Sequence, residues 1–264
     1  MPSVFSVSSE QLSVWLVTFL WPFVRMLALI STAPIFGEKS VPRSAKVGFA
    51  ALLAIAIAPT LAPLPSVPLV SAGGIWIVIQ QVLIGTAMGF SMRLVFTIVQ
   101  AAGEYTGLQM GLSFASFFDP TSGGNTMVVS RLLNVMAILI FLAIDGHLAL
   151  ITTLAESFHT LPIADAPLAA SGWFLLVASA NQIFVGGLML ALPLIATLLT
   201  INLAMGILNR VSPQFSIFAV GFPITLLAGL AMLQMVMQYL APFLEPRFAA
   251  GFGFIDQFLQ GLRP

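Results

Sequence analysis

The sequence predicts an all-α, polytopic membrane protein whose hydrophobic helices are kinked or broken. Three observations carry that expectation. Charged residues make up 7% of the chain, against about 25% in an ordinary soluble domain. Hydrophobic residues make up 59% of it, and the mean hydropathy is +1.07. The apolar residues also gather into stretches near the ~20 residues that cross a bilayer. A chain with so little charge cannot clothe its own exterior for water, so its surroundings are largely lipid or the apolar flank of a partner.

The same figures exclude several kinds of function. The formal net charge is zero and no basic run exists, so nothing draws nucleic acid. Cysteine is absent, which removes disulfides, thiolate chemistry and cysteine-based metal sites. The only histidines are His147 and His159, and no metal or cofactor is implied. The N-terminus does not read as a cleaved signal peptide, because Glu10 stands where a basic region belongs and no Lys or Arg precedes Arg25.

Six apolar stretches follow in order. The first runs from Leu12 to about Phe36, with Ser8 and Gln11 as a capping box at its start and Pro22 as a kink inside. A polar break with Lys39, Arg43 and Lys46 separates it from the second, Val47 to Leu64, which Pro63 and Pro65 end. The third begins after Gly73-Gly74 and extends from Ile75 to about Gln100, or on through Glu104. The fourth spans Met127 to about Leu154. The fifth, Trp173 to Asn209, is too long for one straight crossing, and Pro193 is expected to divide or kink it. The sixth spans Phe215 to Tyr239 with Pro223 inside, and a tail with Glu245, Arg247, Asp256 and Arg263 follows. Lys39, Arg43 and Lys46 place the first break on the cytoplasmic side and Arg210 does the same for the fifth, which puts the N-terminus outside.

Charges within apolar stretches are costly and therefore stand out. Arg25, Arg93, Glu104, Arg131 and Asp145 are such charges, and with Arg210 they are expected to serve assembly as structural ion pairs or helix-end anchors. Asp145-Gly146-His147 invites a proton-shuttle reading, but side chains two apart on a helix diverge, so a hydrogen-bonded pair capping a break is expected instead. No nucleophile–base set or phosphate-cradling loop can be assembled, so no enzymatic activity is expected. Met232, Met235 and Met237 form either a compliant seal or ordinary gap-filling, since methionine serves both.

Glycines recur every fourth residue, at Gly85 and Gly89 and again at Gly103, Gly107 and Gly111, which lets a neighbouring backbone approach closely. The second series leads into the most informative segment of the chain, TGLQMGLSFASFFDPTSGGN from Thr106 to Asn125. Loops that face water are polar, yet Leu108, Met110, Leu112, Phe114, Phe117 and Phe118 make this one apolar, and Asp119-Pro120 and Gly123-Gly124 give it turn chemistry. Non-helical backbone at membrane depth is tolerated only inside protein or lining a cavity, so this segment is expected to fill an internal space such as a channel.

Four segments together resemble a known family. LALISTAP (27–34), GEYTGLQMGLSFASFFDP (103–120), DGHLALI (145–151) and LNRVSPQFSIFAVGFP (208–223) are similar, in the same order, to the flagellar biosynthetic protein FliR family. That resemblance implies a subunit of the flagellar type III export gate in the bacterial inner membrane, assembled with FliP and FliQ, in contact with FlhB, and passing unfolded flagellar proteins. It further implies a FliP-like part over 1–172, a FliQ-like part over 173–246 and a tail over 247–264. The loop at 106–122 would plug the pore, through Gly107, Met110, Gly111, Phe114, Phe117, Phe118, Asp119 and Pro120. A gate subunit of a virulence-type secretion system is a close variant. A lone small-solute transporter is the alternative from another class, and it would show internal repeats and broken helices meeting at a polar site.

Overall fold

The computed structural model describes residues 9–62, 64, 65, 67–112, 128–212 and 220–263. Among them every regular element is a helix: α1 Ser9–Thr32, α2 Arg43–Ile57, α3 Ala72–Gln109, α4 Val128–Ala143, α5 Gly146–Thr160, α6 Ala170–Ser179, α7 Asn181–Val211 and α8 Phe222–Gly261, with a 3-10 turn at Ala58–Thr60. Five helical stretches are long and apolar enough to cross a membrane, and a sixth crossing results if the bent pair of α4 and α5 acts as one. Large apolar side chains such as Leu52, Phe174, Val177 and Leu203 lie on the outside, as the composition requires.

Element boundaries follow local chemistry. α1 stops at Thr32, two residues before Pro34, and the Thr32 hydroxyl donates to the Ala28 carbonyl at 2.8 Å. α2 starts directly after Pro42, and Pro59 ends it in the 3-10 turn. The Ser71 hydroxyl accepts from the Gly74 amide at 3.1 Å and caps α3. The Ser8 member of the expected capping box lies outside the described residues.

Four boundaries depart from the sequence reading. α3 continues to Gln109, so Thr106 and Gly107 are helical and the loop begins later than expected. The fourth stretch is two helices, α4 and α5, parted at Asp145, whose φ of 55° is left-handed and tolerable for Asp. The fifth breaks at Ala180, between α6 and α7, and stays helical through Pro193. A membrane helix accommodates a proline because nearby groups re-satisfy the backbone, and here the Thr197 hydroxyl donates to the Pro193 carbonyl at 2.9 Å. Pro223 stands at the second residue of α8, directly after a π-helical turn at 220–221, and the expected tail is helical as far as Gly261.

The chain forms two compact units whose segments alternate along it: residues 1–93, 146–178 and 250–264 in the first, and 94–145 and 179–249 in the second. The first unit is organised around Arg25, which is fully buried. Its Nε donates to Gln81 Oε1 at 2.7 Å, Nη1 to the Ser157 carbonyl at 3.0 Å, and Nη2 to the Leu161 carbonyl at 3.0 Å. The guanidinium lies 4.3 Å from the centre of the Phe158 ring. One side chain thereby ties α1 to α3 and to the C-terminal end of α5. Of the two expectations, ion pair or helix-end anchor, the partners found are neutral groups, two of them carbonyls at the end of α5. The negative end of the α5 dipole and its last carbonyls, one of them shared with the Leu161 amide, take the place of a carboxylate.

Glycine brings α3 against α1 in the same unit. A Cβ at Gly85 would collide with the Arg25 carbonyl, and one at Gly89 with the Thr32 hydroxyl. The end of α8 packs on the start of α6, where Gly261 and Gly172 face each other and the Ser171 hydroxyl donates to the Gly261 carbonyl at 2.6 Å. Arg25→Ala is expected to orphan the Gln81 and Leu161 acceptors and to open a void, lowering stability by about 3–5 kcal/mol. Thermal unfolding of the detergent-solubilised protein checks this, and Arg25→Lys, which keeps the charge without the fork, should recover only part of the loss.

Candidate functional site: the base of the apolar loop

The second unit holds the described part of the loop that the sequence singles out. The last turns of α3, from Gln100 to Gln109, are clamped by three helices. On one side α4 lies so close that a Cβ at Gly103 would overlap the Ser130 backbone. The Ser130 hydroxyl donates to the Gln100 carbonyl at 3.0 Å, and Gln100 Nε2 donates to Asn134 Oδ1 at 3.0 Å. On another side α7 presents Gly186 and Gly187, whose missing side chains admit Ile98 and Ala101. Below, Phe96, Phe141 and Phe248 form an aromatic cluster with centroids 5.0–5.5 Å apart.

The helix end is held by Met110. This side chain is buried and occupies the room that Gly229 of α8 leaves, with Sδ 2.8 Å from where a Cβ would stand. Gly111 then turns the chain with φ of 79°, a conformation that a side chain would strain. The Leu112 amide donates to the Gly107 carbonyl at 3.1 Å and the Gly111 amide to the Leu108 carbonyl at 3.1 Å, closing α3. Gly107 is buried within the last helical turns. Phe114, Phe117, Phe118, Asp119 and Pro120 lie outside the described residues.

The other sequence candidates are dispersed. Arg93, Glu104, Arg131, Asp145 and Arg210 are exposed, and Arg25 alone of the set is buried. Met232 is half-buried on α8 and Met235 is exposed on the same helix. His147 Nδ1 is buried without a hydrogen-bond partner among the described residues, so the expected pairing is not made through that atom. Sequence reasoning missed Gln81 and Ser157 as partners of Arg25, and Gly229 as the seat of Met110. The Gln80-Gln81 amides within an apolar stretch were a visible signal for the first.

A profile of bacterial export proteins, family 1, matches residues 16–251, nearly the whole chain. Flagellar biosynthetic protein FliR of Pectobacterium carotovorum subsp. carotovorum is 51% identical over 248 residues, covering 94% of this chain and 95% of that protein. The chain belongs to the FliR family of bacterial export proteins. Its likeness to FliR of Escherichia coli strain K12 is 48% over 256 residues, covering 97% and 98% of the two chains. To FliR of Aquifex aeolicus it is 27% over 259 residues, again nearly end to end. The matched residues 16–251 take in every helix of this FliR-family chain in full, save the first turns of α1 and the last turns of α8.

The glycine contacts make a testable distinction. Gly103→Leu should force α3 from α4 and destabilise the protein by about 1–3 kcal/mol or more through overpacking. Gly206 has open space around it, so Gly206→Ala should be neutral or raise stability by about 0.5–1 kcal/mol through helix propensity. Thermal midpoints of the two variants in the same detergent check both signs.

Proposed function

We propose that this chain is a structural, pore-forming subunit of the flagellar type III export gate. It passes unfolded flagellar proteins across the bacterial inner membrane and performs no chemistry itself. Its family membership and the naming of its relatives as flagellar biosynthetic proteins support a role in flagellar biosynthesis and export. The observation that carries the finer reading is the clamped base of the loop. A rigid helix end, pinned by Met110 and turned by Gly111, leads directly into a segment too apolar to face water. That segment, 106–122 with its helical first residues, plugs the conduit at rest, and Met110 acts as its root rather than as one of its blocking side chains.

Its partners in this reading are FliP and FliQ, with FlhB alongside. The stretch 1–172 plays a FliP-like part and 173–246 a FliQ-like part. Met232 and Met235, on a face of α8 that the chain leaves open, suit a compliant surface against a neighbour.

The plug is tested by changing Phe114, Phe117 and Phe118 together to Ser. Full burial of three such rings is worth about 5–9 kcal/mol, so the closed state should lose most of its advantage. Complexes purified with this variant should assemble and show added ion conductance in planar bilayers. An intact complex with no added leak would refute the plug.

A further inference from the structure

The link between α1 and α2 is strained at one residue. Ile35 has a φ of 69°, in the left-handed region, where a β-branched side chain is a genuine outlier. The Phe36 amide donates to the Pro34 carbonyl at 2.9 Å, so Ile35 is the centre of a three-residue turn of the rare, strained kind. The Gly37 amide donates to the Ala33 carbonyl at 2.8 Å, and a Cβ at Gly37 would stand 2.6 Å from that carbonyl oxygen. Strain of this sort persists only where the surroundings over-determine it, and it gathers at elements that switch.

The two sides of the turn are held unequally. On the near side α1 is fixed to α3 and α5 by the Arg25 hydrogen bonds, Thr32 lies against Gly89 of α3, and Ala33 and Pro34 are buried. On the far side α2 buries only Ala50 and Ala54, while Val47, Leu52 and Ile55 are exposed. Its start is steadied by the Phe49 ring, stacked on Phe36 at 5.6 Å, and by Lys46 Nζ, which donates to the Glu38 carbonyl at 3.0 Å. Its end runs through the 3-10 turn into the connection 61–71, which leaves slack before α3 begins at Ala72.

We infer that the α1–α2 link is a sprung hinge. Docked, α2 lies on α1 by its alanine face and Ile35 is strained. Open, α2 swings off, Ile35 relaxes to an ordinary φ, and α1 with the Arg25 network stays in place. The strain lowers the cost of leaving, and lipid receives the alanine face at little cost because its tails are as apolar as the surface left behind. Phe36 and Phe49 are the latch, and Ile35 is the spring that opposes it.

Distances between paired spin labels on the full-length chain in lipid nanodiscs test this, because a chain without cysteine takes labels only where they are placed. One pair joins α2 to α3, through Leu52→Cys and Ile79→Cys, both exposed positions. A control pair joins α1 to α3, through Trp15→Cys, also exposed, and Ile79→Cys. Phe49→Ala, which removes the latch ring, should give the α2–α3 pair a second separation while the control pair keeps its own. Adding Ile35→Gly, which adopts a positive φ without strain, should shift the balance back toward the docked separation by about tenfold. A general loosening of the chain would not be rescued by glycine.

A single α2–α3 separation in both the unaltered chain and Phe49→Ala would overturn the hinge. So would a second separation whose share Ile35→Gly leaves unchanged or increases. Movement of the control pair along with α2 would show that α1 is not the fixed side, and would overturn it as well.

Discussion

Helix packing in both units turns on close backbone approach along α3. Between membrane helices the hydrophobic effect gives no net pull, because lipid tails are as apolar as leucine, so helices adhere through contact density. α3 obtains that density by having no side chain where a neighbour arrives. Gly85 and Gly89 admit α1 in the first unit, and Gly103 admits α4 in the second. Gly186 and Gly187 repeat the device from the α7 side, and Gly229 does so for Met110. A glycine costs helix stability relative to alanine. It stands at these places where a Cβ would meet backbone or a packed side chain, whereas a Cβ at Gly48, Gly206 or Gly253 would meet nothing within 4 Å among the described residues.

Arg25 shows how the fold disposes of a charge that it buries. Breaking a buried ion pair leaves one ion stranded. A guanidinium held by carbonyls and an amide leaves no second ion to strand. Its planar fork suits three separate acceptors, from Gln81, Ser157 and Leu161, which a lysine could not reach at once. Arg93, Glu104, Arg131, Asp145 and Arg210 are instead exposed.

The sequence made the fold class and most helices legible because hydrophobic length is a direct signal in a membrane protein. It misled at breaks. Pro193 is expected from the sequence to divide or kink the fifth stretch; it does not divide it, and the helix is interrupted at Ala180, where an ordinary Ser-Ala-Asn step carries no warning. Asp145 marks the α4–α5 break through its left-handed φ, which no periodicity reports. The sequence reading ends the sixth stretch at Tyr239, yet α8 continues through Pro242 and Pro246 to Gly261, with Phe248, Ile255 and Phe258 buried. At the candidate site the glycine spacing was readable and its contacts were not. Gly229 lies more than a hundred residues from Met110, and a single sequence carries no record of such pairings.

In the proposed gate the root of the apolar loop is fixed, and whatever opens the conduit begins beyond Gly111. The chain has no cysteine, so a Met110→Cys, Gly229→Cys pair can lock the root by a disulfide, since Met110 Cγ lies 2.5 Å from where a Cβ of residue 229 would stand. Export by cells carrying the locked variant, compared under oxidising and reducing conditions, measures the claim directly. A fixed root predicts that the disulfide forms and that export is unchanged by it. Export that stops on oxidation and returns on reduction would show that the root itself must move.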